Sequence, residues 1–235
     1  MRLFPHFLFL LVSFSSIAND DFDKGKEAYK NNNYPQAITL FNKAAGQGSA
    51  KAQSYLGYMY TKGKGVKQDY TKAVDWYRKA AEQGNARDQY SLAIIYEKGR
   101  GVAQDYNQAI EWHTKAAEQG NPRSQYHLAL IYYNGKGVTQ DYKQALKWYS
   151  KAAEDGNAGV QYSLGVMYEN GQGVAQDYKQ AFDWYSKAAE QGDAKAQYNL
   201  GLLYADGKGI TADKEKAILW SKKAEEQGYS GKSLP

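Results

Sequence analysis

Apolar residues along this chain recur at the spacing of one helix face, stop at a glycine, and then start again. Between Ala86 and Glu97 the pattern is carried by Tyr90, Leu92, Ala93, Ile95 and Tyr96. Gly99-Arg100-Gly101-Val102 then breaks the helix, and Gly99 can take the left-handed backbone that ends one at little steric cost. Asp105 follows, a carboxylate placed to accept from the free N–H groups of a new helix. That second helix carries Ala109, Ile110, Trp112, Ala116 and Ala117 and ends before Gly120. Small Ala93, Ala109 and Ala116 allow helix axes to approach to about 8–10 Å, leaving Trp112 and Tyr96 to fill the space between helix pairs.

The same pattern repeats without insertion or deletion. Gly48, Gly84, Gly120, Gly156, Gly192 and Gly228 are 36 residues apart throughout, as are Trp76, Trp112, Trp148, Trp184 and Trp220. Leu56, Leu92, Leu128, Leu164 and Leu200 keep the period, and so do Tyr60, Tyr96, Tyr132, Tyr168 and Tyr204. The invariant Trp and Tyr slots read as core, as aromatics at helical spacing usually are. One helix pair cannot bury its apolar face alone, so neighbouring pairs must stack. The expected fold is all-α, a right-handed α-solenoid of stacked antiparallel helix pairs with about twelve helices.

Both ends depart from the repeat. At the N-terminal end Gly25 to Ala37 spans 12 residues where Gly57 to Ala73 spans 16, so four loop residues are missing, among them the Gly-x-Gly. At the C-terminal end Asp213-Lys214-Glu215-Lys216 replaces the usual Asp-Tyr start with charge, and Ser221 stands where other units carry Tyr or His. That unit reads as a cap, and the short polar segment from Gly228 reads as a frayed tail.

Composition narrows what such a repeat can do. The 235 residues include no Cys, so disulfides, thiolate metal sites and cysteine nucleophiles are excluded. Net charge is +5, from 30 basic and 25 acidic residues spread along the chain, which does not imply a nucleic-acid groove. The first eighteen residues read as a secretory signal: Arg2, then apolar Phe7 to Val12, then Ser16-Ile17-Ala18 as a small-x-small cleavage site. The apolar run is well short of the roughly 20 residues that span a bilayer. The expectation is an exported, periplasmic or secreted protein without membrane insertion.

Five units reading like Ala-x-Ala-Gln-Tyr-x-Leu-Gly-x-x-Tyr, Gly-x-Gly-Val, Asp-Tyr-x-x-Ala and Trp-Tyr-x-Lys-Ala-Ala resemble Sel1-like repeats over roughly Gly48 to Gln227. The first unit is similar to a tetratricopeptide repeat. The resulting division is a signal at 1–18, a tetratricopeptide-like unit at 19–47, five repeats of 36 residues at 48–227, and a tail at 228–235. The resemblance implies a non-catalytic bacterial adaptor, exported or periplasmic, whose partner is another protein.

Candidate chemistry is sparse. His113 takes a slot held elsewhere by Tyr77, Tyr149 and Tyr185, and His127 one held by Tyr55, Ser91, Ser163 and Asn199. Neither has a second His or carboxylate at ligand spacing such as i, i+4, so no metal or cofactor site is expected. Adjacent Glu154 and Asp155 do not face one another on a helix, and no serine has the His and Asp partners of a nucleophile. The Gly-x-Gly loops follow helices and occur five times, unlike a phosphate-binding fingerprint. Lys64, Arg100, Lys136, Gln172 and Lys208 form a mostly positive ladder on one edge, which raises an anionic envelope polymer as an alternative ligand. A β-lactamase-like hydrolase is a weaker alternative, given the absence of Cys.

By resemblance, the first helix of each pair lines the concave surface. One stripe there is Lys51, Arg87, Arg123, Gly159 and Lys195; a second is Ser54, Tyr90, Tyr126, Tyr162 and Tyr198; a third is Thr61, Glu97, Tyr133, Glu169 and Ala205. Tyr and Arg bury large areas at low entropic cost and bond at their tips. Lys51, Arg87, Tyr90, Arg123, Tyr126, Tyr133, Tyr162, Lys195 and Tyr198 are therefore the candidate partner-binding residues.

Overall fold

A computed structural model describes residues 19–231, so the leader-like segment lies outside the described residues. Among the described residues there are twelve helices and no strand. Helix α1 runs through 19–30. It is followed by α2 (Tyr34–Gly46), α3 (Ala50–Lys62), α4 (Tyr70–Glu82), α5 (Ala86–Lys98) and α6 (Tyr106–Glu118). Then come α7 (Pro122–Asn134), α8 (Tyr142–Ala153), α9 (Ala158–Asn170), α10 (Tyr178–Glu190), α11 (Ala194–Asp206) and α12 (Lys214–Glu226). No helix among the described residues is long and apolar enough to cross a membrane. Contacts divide the chain into two compact units, one ending at Asn121 and one starting at Pro122.

The helices start and stop where local chemistry dictates. Asp69, Asp105, Asp141, Asp177 and Asp213 sit in extended backbone and accept from N–H groups of the following first turn, satisfying donors that have no partner within the helix. Ser49, Asn85, Asn157 and Asp193 cap the first helices of their pairs in the same way. Gly63, Gly99, Gly171 and Gly207 end those helices in the left-handed conformation anticipated for Gly99. The loop is then tied down: Gln68, Gln104, Gln140 and Gln176 each donate through Nε2 at 2.7 Å to the carbonyl of Thr61, Glu97, Tyr133 and Glu169. In the N-terminal hairpin, residues 31–33 replace that loop with a tight turn in which Asn32 takes φ 59°, a conformation asparagine tolerates.

The second glycine of the Gly-x-Gly has a packing role at Gly65, Gly101, Gly173 and Gly209. A Cβ on Gly101 would stand 2.5 Å from the Tyr70 carbonyl carbon and 2.7 Å from the Thr71 nitrogen, and one on Gly173 would strike the Tyr142 carbonyl. The loop of one hairpin thus rests on the first turn of the preceding hairpin's second helix. These loops are not merely solvated tips.

In the first unit one core cluster gathers Phe22, Phe41, Leu56 and Met59 with alanines of α1, α2 and α3, and a second gathers Val74, Tyr77, Leu92, Ile95 and Trp112. In the second unit Tyr185, Leu200 and Leu203 pack with Ala181, Ala188, Ala189 and Ala196. Each fully buried leucine contributes about 1.5–3 kcal/mol through water removal. Tryptophan departs from the expected uniform core placement. Trp112 and Trp148 are buried, whereas Trp76, Trp184 and Trp220 are half-buried, with Lys79, Lys187 and Lys223 lying 4.6, 4.1 and 4.1 Å over their rings. A lysine one turn along gives the exposed ring face a cation–π partner.

A buried glutamine runs through the same core. Gln53, Gln89 and Gln197 each donate to a carbonyl at the end of the preceding hairpin, that of Ala45, Ala81 and Ala189 respectively. Each also accepts from the glutamine thirty residues on, Gln83, Gln119 and Gln227, at 2.7–2.8 Å. One side chain therefore joins three helices and leaves no polar atom orphaned. Asp155 stands in this slot after α8, which ends one residue earlier than its counterparts.

Candidate functional site

Within each unit the first helix of a hairpin places the predicted residues in two environments. Lys51, Arg87, Arg123 and Lys195 lie on the first turns of α3, α5, α7 and α11 and are exposed or partly exposed. Tyr90, Tyr126, Tyr133, Tyr162 and Tyr198 are half-buried, each resting against another ring. Tyr90 packs on His113 with centroids 5.8 Å apart, Tyr126 on Tyr149 at 6.1 Å, and Tyr162 on Tyr185 at 5.8 Å. Tyr133 lies 6.4 Å from Tyr149 and 5.2 Å from Tyr142. A tyrosine so held gives a partner one edge and a hydroxyl and loses little side-chain freedom on binding.

The floor of this surface comes from the second helix, at the slot of Tyr77, His113, Tyr149 and Tyr185, all buried. The third predicted stripe reaches over it: Glu97 Oε2 lies 3.5 Å from His113 Nε2, and Glu169 accepts a hydrogen bond from the Tyr185 hydroxyl. Both histidine readings as ordinary residues carry over in part, since His113 is a packing residue and His127 is half-buried. The spacing rule applied to them is incomplete, however. Within the first unit, Glu97 of α5 and His113 of α6 approach one another from two successive helices, where an i, i+4 search within one helix does not find them.

Burial pushes the Tyr77 phenol up to about 12, eased slightly by a hydrogen bond with Thr61. Burial also raises Tyr149, and raises Tyr185 together with the adjacent Glu169 carboxylate. These phenols therefore stay protonated near neutrality, as hydrogen-bonding groups and not as nucleophiles or bases.

The first hairpin after the N-terminal one differs. Ser54 stands in the tyrosine slot, and Asp88 of the next hairpin fills the vacated space, buried and accepting from the Ser54 hydroxyl. Burial holds the Asp88 carboxyl above its ordinary value, against the opposing effects of Ser54 and Arg87. A carboxyl raised in the folded state favours folding in its protonated form. Its contribution is therefore lost as pH rises from the ordinary aspartate range through the raised value, and is constant above it. Asp88→Asn keeps a partner for Ser54 and cannot ionise. Thermal melts should show the variant gaining on the parent as pH climbs through the acid range and then holding its advantage. A variant whose relative stability falls over that range would contradict the assignment.

The loop ladder is largely engaged within the protein. Lys64 donates to the Tyr34 hydroxyl at 3.1 Å and lies over its ring, Arg100 lies 5.7 Å over Tyr70, and Lys208 lies 5.6 Å over Tyr178 and 2.9 Å from Asp206. These cations staple a loop to the preceding hairpin. The tail is also engaged as far as it is described: Tyr229 meets Tyr198 edge-on at 5.6 Å, and Gly231 rests on the Tyr198 hydroxyl end. The expected fraying does not hold through Gly231. The repeat does not signal this contact, because Tyr229 stands in the slot that Asn85, Asn157 and Asp193 fill as helix caps.

The Sel1 repeat profile matches residues 23–49, 50–85, 86–121, 122–157, 158–193 and 194–229. A protective antigen present in uropathogenic Escherichia coli strains, displaying an SLR fold, is 38% identical with a TM-score of 0.81 over 90% of this chain. This chain spans 46% of that protein's length. A Sel1 repeat protein from Oxalobacter formigenes is also 38% identical, with a TM-score of 0.79 over 87% of this chain and 84% of its own. No curated protein matches the chain.

Proposed function

Because this chain belongs to the Sel1 repeat family, whose repeats generally mediate protein–protein interaction, we propose that it is an exported, non-catalytic adaptor for a partner protein. The partner contributes an extended segment with acidic character, held along the first helices of the hairpins. The observation that carries this reading is the pairing of exposed bases with half-exposed tyrosines, Arg123 with Tyr126 and Arg87 with Tyr90. The bases attract and orient carboxylates, while the tyrosine edges bury against the segment and bond at their tips. Lys51, Tyr133, Tyr162 and Lys195 extend the same surface within each unit.

Export is supported by the Arg2, Phe7–Val12 and Ser16-Ile17-Ala18 pattern and by similarity to a bacterial protective antigen. The adaptor reading is preferred over an anionic polymer because Lys64, Arg100 and Lys208 already serve tyrosine rings and an internal carboxylate. It is preferred over a hydrolase because no serine here has the His and Asp partners of a nucleophile.

The test is affinity capture from the native cell envelope with the parent chain and with the Arg123→Ala, Tyr126→Ala double variant. The parent should retain a specific protein partner. The double variant should lose it while keeping a helical circular dichroism spectrum, and recovery of the same partner by a folded double variant would refute the surface.

A further inference from the structure

The second helix of a hairpin carries a face that the following hairpin covers. On α4 that face is Thr71, Val74 and Arg78. Thr71 Oγ1 donates to the Gly101 carbonyl at 3.3 Å, Val74 is 2% exposed among Leu92 and Ile95, and Arg78 Nη2 donates to the Tyr96 hydroxyl at 2.9 Å. On α10 the equivalent Phe182 meets Tyr204 edge-on at 5.3 Å. Helix α12 repeats the face with Glu215, Ile218 and Lys222, and there Ile218 is 69% exposed. Beside it Leu219, 49% exposed, stands where the other hairpins carry Asp75, Glu111, Lys147 and Asp183. Leu202 of α11 adds a third aliphatic side chain, 44% exposed in the same hairpin. Through Gly231 the described part of the tail rests on Tyr198, and these three side chains are exposed.

Clustered aliphatic side chains open to water on one helix face mark a surface suited to packing against a partner. The corresponding face of α1 is polar instead. Aligned on Gly25 and Gly57, the α3 core residues Ala52, Leu56 and Met59 correspond in α1 to Asp20, Lys24 and Glu27. All three are exposed, and Lys24 pairs with Asp20 at 2.7 Å. Stacking one copy's N-terminal end on another's α12 would set those charges against Ile218 and strip their water without compensation. The charge-matched surface is α12 itself. In an antiparallel pair centred between Ile218 and Leu219, Ile218 of one copy meets Leu219 of the other, and Glu215 meets Lys222 in both directions. An isologous contact of this kind is self-complementary and closes at two copies.

We propose that the exposed face of α12 is a homodimer interface, pairing antiparallel with α12 of a second copy of this chain. Sedimentation velocity on the full chain, up to about 100 μM, should show a monomer–dimer equilibrium that stops at two. Ile218→Glu should shift it at least tenfold toward monomer with the helical spectrum unchanged, since the side chain is solvent-facing. Glu215→Lys and Lys222→Glu should each weaken self-association. Mixing those two variants, or combining both changes in one chain, should restore it through complementary pairs. A chain monomeric throughout the range, growth beyond two copies, a dimer indifferent to Ile218→Glu, or charge variants that mixing fails to rescue would overturn the proposal.

Discussion

Replacing Tyr185 with alanine should cost about 3–5 kcal/mol, the usual range for emptying a fully buried aromatic site. The ring is inaccessible to solvent and packs on Tyr162 at 5.8 Å, and its hydroxyl donates to Glu169. Gly165 lies directly against it, so close that a Cβ there would overlap the ring. Backbone approaches this near cannot collapse into the void, which places the expected loss toward the upper part of the range. Tyr185→Phe preserves the ring and removes the hydroxyl's hydrogen bonds with Glu169 and Asn199, the charged one costing about 1.5–3 kcal/mol. Guanidinium unfolding followed by circular dichroism separates the two. Equal losses from both variants would show that the ring's volume is not what the second unit depends on.

Gly173→Ala is the second large effect expected, about 2–5 kcal/mol from two contributions. Gly173 has φ +78°, where a side chain costs about 1–2 kcal/mol. Its new Cβ would also press on the Tyr142 carbonyl and lie 2.9 Å from the Lys143 nitrogen, backbone atoms that cannot step aside, adding about 1–3 kcal/mol of overpacking. Gly192 is the internal control. It has φ +91°, and a Cβ there would meet nothing within 4 Å, so Gly192→Ala should carry the conformational cost alone. Urea midpoints of the two variants should differ by the packing contribution. Coincident midpoints would mean that the loop does not need its close seat on the preceding hairpin.

The repeat period made the hairpins, their caps and their glycine stops legible, because those depend on local backbone chemistry that recurs in register. Asp105 and Gly99 behave as their residue types dictate. The buried glutamines were not legible as core. Gln89 and its counterparts are polar residues on a helix, and only the carbonyl eight residues earlier and the glutamine thirty residues later make burial tolerable. Their one signal was recurrence every 36 residues. Tryptophan misled in the opposite direction, because invariance suggested burial whereas Trp184 needs only Lys187 above its ring. For the candidate surface, which side chains sit on the first helices followed from the period. How far each tyrosine is sunk did not, because that depends on the residue opposite, His113 for Tyr90 and Tyr149 for Tyr126. The exposed aliphatic face of α12 was present in the sequence as Leu219 in a charged slot, but the added lysines around it read as a cap.

The glutamine clamp reaches back to the hairpin before and forward to its own hairpin's end, and no farther. Its donors and acceptors are therefore supplied again by any whole block of 36 residues inserted or removed in register. An in-frame gain or loss of that many codons leaves each clamp outside the Asp155 hairpin with the same kinds of partner. Length can therefore change by whole repeats without a new core being invented.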